Sequence, residues 1–302
     1  GCIDDTIRTI ANIYAQPHAA FTVDSVESCL GGTFNFTDQS TAPNSGVTQW
    51  FWDFGNATTS NLQNPTVQYA AVGTYAVKLY INSAAGCRSD TMTMNVTVLQ
   101  LPTVSFTTSP IVCEMQPVQF TSTSVANPGT ITQYNWTVNG TPTGGNNPVI
   151  NYTPATSGSN TVVLSVTTDK GCKNQVSSPL SVNPKPVANF NLPNVCLPAG
   201  TANFTSTSTV AGGTITNYLW NFGNSQTATT QSATTIYPGI GPYTVSLLVT
   251  SNNGCTDTKT SVLNTIYAQP QAAFNAPAEV CLGAPVNFTD QSSAPNSTVT
   301  QW

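Results

Sequence analysis

Eight cysteines in 302 residues are the side chains best equipped for chemistry in this chain. They fall in a pattern: Cys2, then Cys29 and Cys87, Cys113 and Cys172, Cys196 and Cys255, then Cys281, with separations of 58, 59 and 59 inside the three pairs. Two chemistries use cysteines in such numbers, metal ligation and disulfide formation. Structural zinc takes close pairs such as C-x-x-C, commonly with histidines, and this chain has one histidine and no close cysteine pair. Disulfides are therefore expected, one per repeat, as Cys29–Cys87, Cys113–Cys172 and Cys196–Cys255, with the partners of Cys2 and Cys281 beyond the ends of the sequence. Closing a loop of that size is worth about 4 kcal/mol in the chain-entropy model. Such bonds imply an oxidising compartment outside the cytosol.

Other reactive side chains give less. His18 is the only histidine, and its counterparts one repeat later are Thr103, Val187 and Gln271, so a residue between domains is favoured over a base or ligand. Asp38 and Asp53 have the type of calcium ligands, but Asp53 is replaced by Thr137 and Asn221 in the following repeats, and calcium needs several charged oxygens. No serine has a histidine partner and no carboxylate pair repeats, so neither nucleophilic nor acid–base catalysis is expected. The expectation is no enzyme, no catalytic residue, no cofactor and no metal. Tryptophans can stack on sugars, yet Trp52, Trp136 and Trp220 lie on apolar strand faces; only Trp50 would be partly exposed.

The elements that carry these residues recur. The phrases QPHAAF, LPTVSF, KPVANF and QPQAAF put prolines at 17, 102, 186 and 270, in steps of 85, 84 and 84. A longer period overlies this one, because IYAQPHAAF returns as IYAQPQAAF and FTDQSTAPNSGVTQW as FTDQSSAPNSTVTQW after 252 to 253 residues. The reading is a three-domain block duplicated inside a longer polypeptide, with the end of one repeat in 1–15, repeats at 16–100, 101–184 and 185–268, and the start of another in 269–302. Trp50, Trp52 and Phe54 alternate along a strand, as do Tyr75, Val77, Leu79 and Ile81, and the period of two marks half-buried sheet. The expected core includes Trp52, Trp136, Trp220, Tyr75 and Tyr243. Short strands separated by Gly, Asn and Pro turns indicate an all-β chain of two-sheet sandwiches.

Charged residues make up only 6% of the chain, and the net charge is -5. With no basic cluster to neutralise phosphates, nucleic acid is excluded as an expected partner. No apolar run approaches the roughly 18 residues of a membrane span, so direct membrane insertion is not expected either.

The stretch WFWDFGNATTSNLQNPTVQYAAVGTYAVKLYINSAAGC, residues 50–87, resembles the PKD (polycystic kidney disease) domain. The resemblance is carried by Trp52, Phe54, Gly55, Asn56, Pro65, Tyr69, Gly73, Thr74, Tyr75 and Val77, with Ala57 in place of the second turn glycine. It extends over the whole chain and departs most in the middle repeat, where NWTVNG replaces the WDFG type of turn. It implies tandem immunoglobulin-like β-sandwiches in a linear array. The flanking cysteines are similar to those of PKD arrays in giant Bacteroidota surface adhesins, including gliding-motility adhesins exported by the type 9 secretion system. The implied function is the shaft of a cell-surface filament for attachment or gliding. Its partners would be neighbouring repeats, surface polysaccharide and other filament copies. The alternative is a set of PKD spacer modules that present polysaccharide to a secreted hydrolase.

Overall fold

The computed structural model describes residues 13–301; Cys2, residues 1–12 of the expected first tail, and Trp302 lie outside them. Every regular element among the described residues is a β-strand. The first repeat comprises β1 (Phe21–Val23), β2 (Glu27–Cys29), β3 (Thr33–Asp38), β4 (Val47–Asp53), β5 (Thr59–Ser60), β6 (Thr66–Gln68), β7 (Gly73–Ser83) and β8 (Met92–Leu99). They form two sheets, β1-β3-β6 and β2-β8-β7-β4-β5. Neighbours are antiparallel except β2 and β8, which run parallel with Cys29 opposite Leu99.

The second and third repeats reproduce the larger sheet. In the second it is Thr141–Thr143, Ile131–Val138, Gly158–Thr168 and Lys173–Val182; in the third it is Thr227–Ala228, Ile215–Asn221, Tyr243–Ser251 and Thr256–Leu263. Each central hairpin carries the same bulge, between Val47 and Gln49, Ile131 and Gln133, and Ile215 and Asn217. The threonine inside each bulge, Thr48, Thr132 or Thr216, donates its hydroxyl to the carbonyl of Asn82, Thr167 or Thr250 at 3.2–3.4 Å. A bulge adds a residue to one strand and increases its local twist.

Alternation along these strands builds the core. Val77, Leu79 and Ile81 are wholly buried while Lys78 between them faces solvent, and Val162, Leu164, Val166 and Val245, Leu247, Val249 repeat the pattern. Trp52, Trp136 and Trp220 are enclosed, and each indole Nε1 donates to a loop carbonyl, of Leu62, Asn147 or Thr230, at 2.8–3.0 Å. This bond satisfies the one polar atom that burying a tryptophan would otherwise strand. Tyr75 and Tyr243 are half-buried rather than enclosed. They sit near the rim end of their strands, and the enclosed places belong to Tyr69 and Tyr237, whose hydroxyls donate to Phe54 O and Phe222 O at 2.9 and 3.0 Å. Tyr75 lies against Tyr69 with ring centroids 3.9 Å apart.

By compactness the chain divides into two units: the first runs up to Thr107 and adds Thr121–Ile150 and Val162–Ser178, and the second comprises Thr108–Phe120, Asn151–Thr161 and Pro179 onward. Among the described residues each unit holds one disulfide, Cys29–Cys172 in the first and Cys113–Cys255 in the second. The expected pairs Cys29–Cys87, Cys113–Cys172 and Cys196–Cys255 are corrected accordingly: the bonds join successive repeats, and Cys87 and Cys196 carry free thiols. The reason is distance. Cys29 pairs beside Leu99 at the end of β8, whereas Cys87 lies in the β7–β8 hairpin before Met92. The seven residue steps of β8 span roughly 23 Å, far beyond the 5.5 Å between the Cα atoms of Cys29 and Cys172.

Candidate functional site

The bonded cysteines occupy two recurring local structures. The later cysteine of each pair in the sequence closes a Gly-Cys turn: Cys87, Cys172 and Cys255 each accept at their carbonyl from the amide of Ser83, Thr168 or Ser251 at 2.8–2.9 Å. Each then donates its own amide to that residue's hydroxyl at 3.1–3.2 Å. The earlier cysteine of each pair lies on a short segment running parallel to the strand that leaves the repeat. Cys29 faces Leu99, Cys113 faces Asn183 and Cys196 faces Tyr267. Early cysteines thus mark the exit end of each repeat and late cysteines the entry end.

Entry at the Gly-Cys end is fixed by side chains two residues beyond the late cysteine. Asn174 Nδ2 donates to Pro102 O at 2.8 Å. In the third repeat, Asp257 accepts from the Ala188 amide at 2.8 Å and pairs with Lys185 at 2.7 Å. Burial alone would raise the Asp257 pKa, but the Lys185 bond and charge and the Ala188 amide hold it below the usual carboxylate range. The incoming segment is therefore docked on the repeat it enters, and its late cysteine is turned back toward the repeat before it.

Two further features accompany the cystines. Lys170 and Glu27, both exposed, pair at 2.9 Å between the first and second repeats, near Cys172 and Cys29 in sequence. The Glu27 carboxylate raises the Lys170 pKa through its hydrogen bond and its charge. An exposed pair of this kind is screened by water and contributes little, so the covalent bond dominates. In the other junction a Cβ on Gly254 would stand 2.9 Å from Ile111 Cδ1, and its φ of +81° already favours glycine. Gly86 and Gly171 hold the same backbone, with φ of +82° and +80°, so it is the left-handed turn that calls for glycine at this position.

The remaining candidates resolve into structural roles. His18 is exposed, and its backbone pairs with Thr41 in both directions, as Thr103 does with Val125, Val187 with Thr209 and Gln271 with Ser293. Asp38 accepts from Trp50 Nε1 at 2.7 Å, Gln63 Nε2 at 3.2 Å and the Ser40 amide at 3.0 Å. Asp53 Oδ1 accepts from the Gly55 amide at 2.9 Å, as Asn221 does from Gly223. Among the described residues no group of three potential ligands is placed for a metal ion. Trp50 is half-buried, and its indole edge is tied to Asp38.

A cleft of about 350 Å³ on the outer face of the first repeat is lined by Phe51, Asp53, Asn61, Lys78, Tyr80 and Arg88. Phe51 and Tyr80 are cross-strand partners with rings stacked at 4.7 Å, and the Arg88 guanidinium lies 3.8 Å from the Tyr80 centroid. Both contacts cannot fit on one side of the ring, so both faces of Tyr80 are taken and only its edge is open. The same register positions hold Asn135 with Ser165 and Leu219 with Leu248 in the next repeats. The cluster stabilises one sheet by cross-strand packing.

A family model for the PKD domain matches residues 14–98, 100–182 and 183–265. The chain belongs to the PKD domain family. Among curated relatives, a 103-residue stretch is 39% identical to the pre-pro-metalloprotease PrtV of Vibrio cholerae serotype O1, covering 33% of this chain and 11% of that protein. A 71-residue stretch is 35% identical to a microbial collagenase of Vibrio alginolyticus, covering 23% of this chain and 9% of that one. The chain thus spans about a tenth of the length of these relatives. Among solved structures, the PKD1 domain of the Vibrio cholerae metalloprotease PrtV is 27% identical and aligns over 28% of this chain and 98% of that domain, with a TM-score of 0.26.

The disulfide pairing is the feature that sequence reasoning missed. Separations of 58 to 59 inside a repeat become 142 to 143 across two repeats, and a constant period makes both sets equally regular. The usable signal was strand length: a cysteine just before β3 and one in the β7–β8 hairpin stand at opposite ends of a long strand.

Proposed function

We propose that this PKD segment is a non-catalytic spacer of an extracellular protein, made stiff and resistant to unravelling by disulfides that staple each repeat to the next. The observation that carries this reading is the pair of cross-repeat cystines, Cys29–Cys172 and Cys113–Cys255. Such bonds persist in oxidising surroundings, and docked junctions leave little freedom for one repeat to swing on another. The partners in this reading are the neighbouring repeats of the same polypeptide.

Two carriers fit such a spacer. A secreted hydrolase has the support of the relatives, whose names are a metalloprotease and a collagenase. A surface filament for attachment or gliding, exported by the type 9 system, is supported by the duplicated three-repeat block in the sequence. Relatedness between PKD modules weighs more than repeat number, and we adopt the hydrolase carrier. Immunogold labelling of cells and medium with an antibody to residues 16–268 tests this. Label released with the medium is expected; label along surface threads would transfer the spacer to a filament, and label confined to the cytosol would overturn it.

A further inference from the structure

The free thiols Cys87 and Cys196 occupy the same two local structures as the bonded cysteines. Cys87 sits in the Gly-Cys turn that Cys172 and Cys255 share, down to the hydroxyl that accepts its amide. Cys196 sits on the short parallel segment that Cys29 and Cys113 share, with the next residue's amide donating to the exit strand in all three: Leu30 to Leu99, Glu114 to Asn183 and Leu197 to Tyr267, at 2.8–3.0 Å. Cover separates them only in part: Cys172 and Cys255 are 1% exposed and Cys113 is 8% exposed, bonded Cys29 is half-buried as free Cys87 is, and Cys196 is open to solvent.

Every early cysteine whose partner turn, one repeat later, lies among the described residues is bonded to it. We propose that Cys87 and Cys196 are the open rungs of a disulfide ladder. Cys196 pairs with the Gly-Cys turn of the repeat that follows, and Cys87 with the early cysteine of the repeat that precedes. Each inner repeat is then cross-linked to both neighbours, through its early cysteine forward and its late cysteine backward. Cys281, whose carbonyl accepts the Ala284 amide at 3.0 Å as Cys29 accepts that of Gly32 at 2.8 Å, takes the early position of the next rung. Each rung forms when two thiols lose two protons and two electrons to a disulfide oxidant such as glutathione disulfide, which leaves as two thiols while one S–S bond is made.

The inference rests on the cross-repeat pairing and not on the spacer role, so either can fail alone. The sequence provides its own test. Trp302 occupies the position of Trp50 one block later, so appending a copy of residues 51–100 after Trp302 completes the fourth repeat and supplies the missing Gly-Cys turn. The full chain and the extended chain are refolded with glutathione disulfide, alkylated with iodoacetamide and mapped without reduction. Cys196 should be alkylated in the full chain and bonded to the appended copy of Cys87 in the extended one. Alkylated Cys196 in a folded extended chain, or a bond from the appended turn to Cys281, overturns the proposal. Should the appended repeat not fold, the same map of the protein from its natural source decides. Cys87 and Cys196 recovered only in cystines support the ladder, and recovery of either as an alkylated thiol refutes it.

Discussion

Gly223 shows how narrowly single residues are chosen. Its φ is +76°, and a Cβ there would stand 2.5 Å from Thr244 O and 2.9 Å from Thr244 N. The left-handed backbone alone costs a substituted residue about 1–2 kcal/mol, and the backbone contact adds to it. Gly223→Ala should destabilise the third repeat by about 2–3 kcal/mol in thermal melts; an unchanged melting temperature would contradict this account of the turn. Tyr69 and Tyr237 make a prediction in pH. Burial, followed by a neighbouring tyrosine, pushes both hydroxyls from 10.0 up to about 12. Between those values the unfolded chain releases protons that the folded chain keeps, so this contribution is full below pH 10 and declines as pH rises toward 12. Tyr69→Phe should flatten that decline in the first repeat, and a slope equal to wild type would show that the hydroxyl does not titrate as described.

At the scale of elements, most of the fold was legible in the sequence. Alternation in GTYAVKLYI and its counterparts identified the central strands, because a period of two with apolar residues on one side has no other economical reading. The rim was less legible. Tyr69 and Tyr75 are both aromatic and six residues apart on either side of a turn, and only the packing decides that Tyr69 is enclosed while Tyr75 covers it. The docked entry segment was hidden as well, since Asp257 and Lys185 are 72 positions apart and nothing in either side chain announces the other. Asp257 titrates below its usual value, so the stability it adds is present above about pH 4 and is lost as pH falls through the lowered pKa. Asp257→Asn should cost about 1–2 kcal/mol at neutral pH and remove that acid dependence. Equal denaturation midpoints for variant and wild type at pH 7 would count against the docking.

For the whole molecule, cross-repeat cystines change the expectation for an array. Repeats joined only end to end have nearly additive stabilities and can unfold one by one. Here each cystine closes a loop of about 143 residues, worth about 5 kcal/mol in the chain-entropy model, and a repeat cannot extend fully without its neighbour. Under single-molecule pulling, the reduced chain should release about 30 nm per unfolding repeat and the oxidised chain much less. Equal release in both states would mean that the cystines do not bear load.

The most direct test of the central claim is a non-reducing peptide map of the oxidised chain after alkylation. The structure predicts linked peptides Cys29–Cys172 and Cys113–Cys255, with Cys87 and Cys196 alkylated. Linked peptides Cys29–Cys87 and Cys113–Cys172 would confine each bond to one repeat and contradict the stapled spacer.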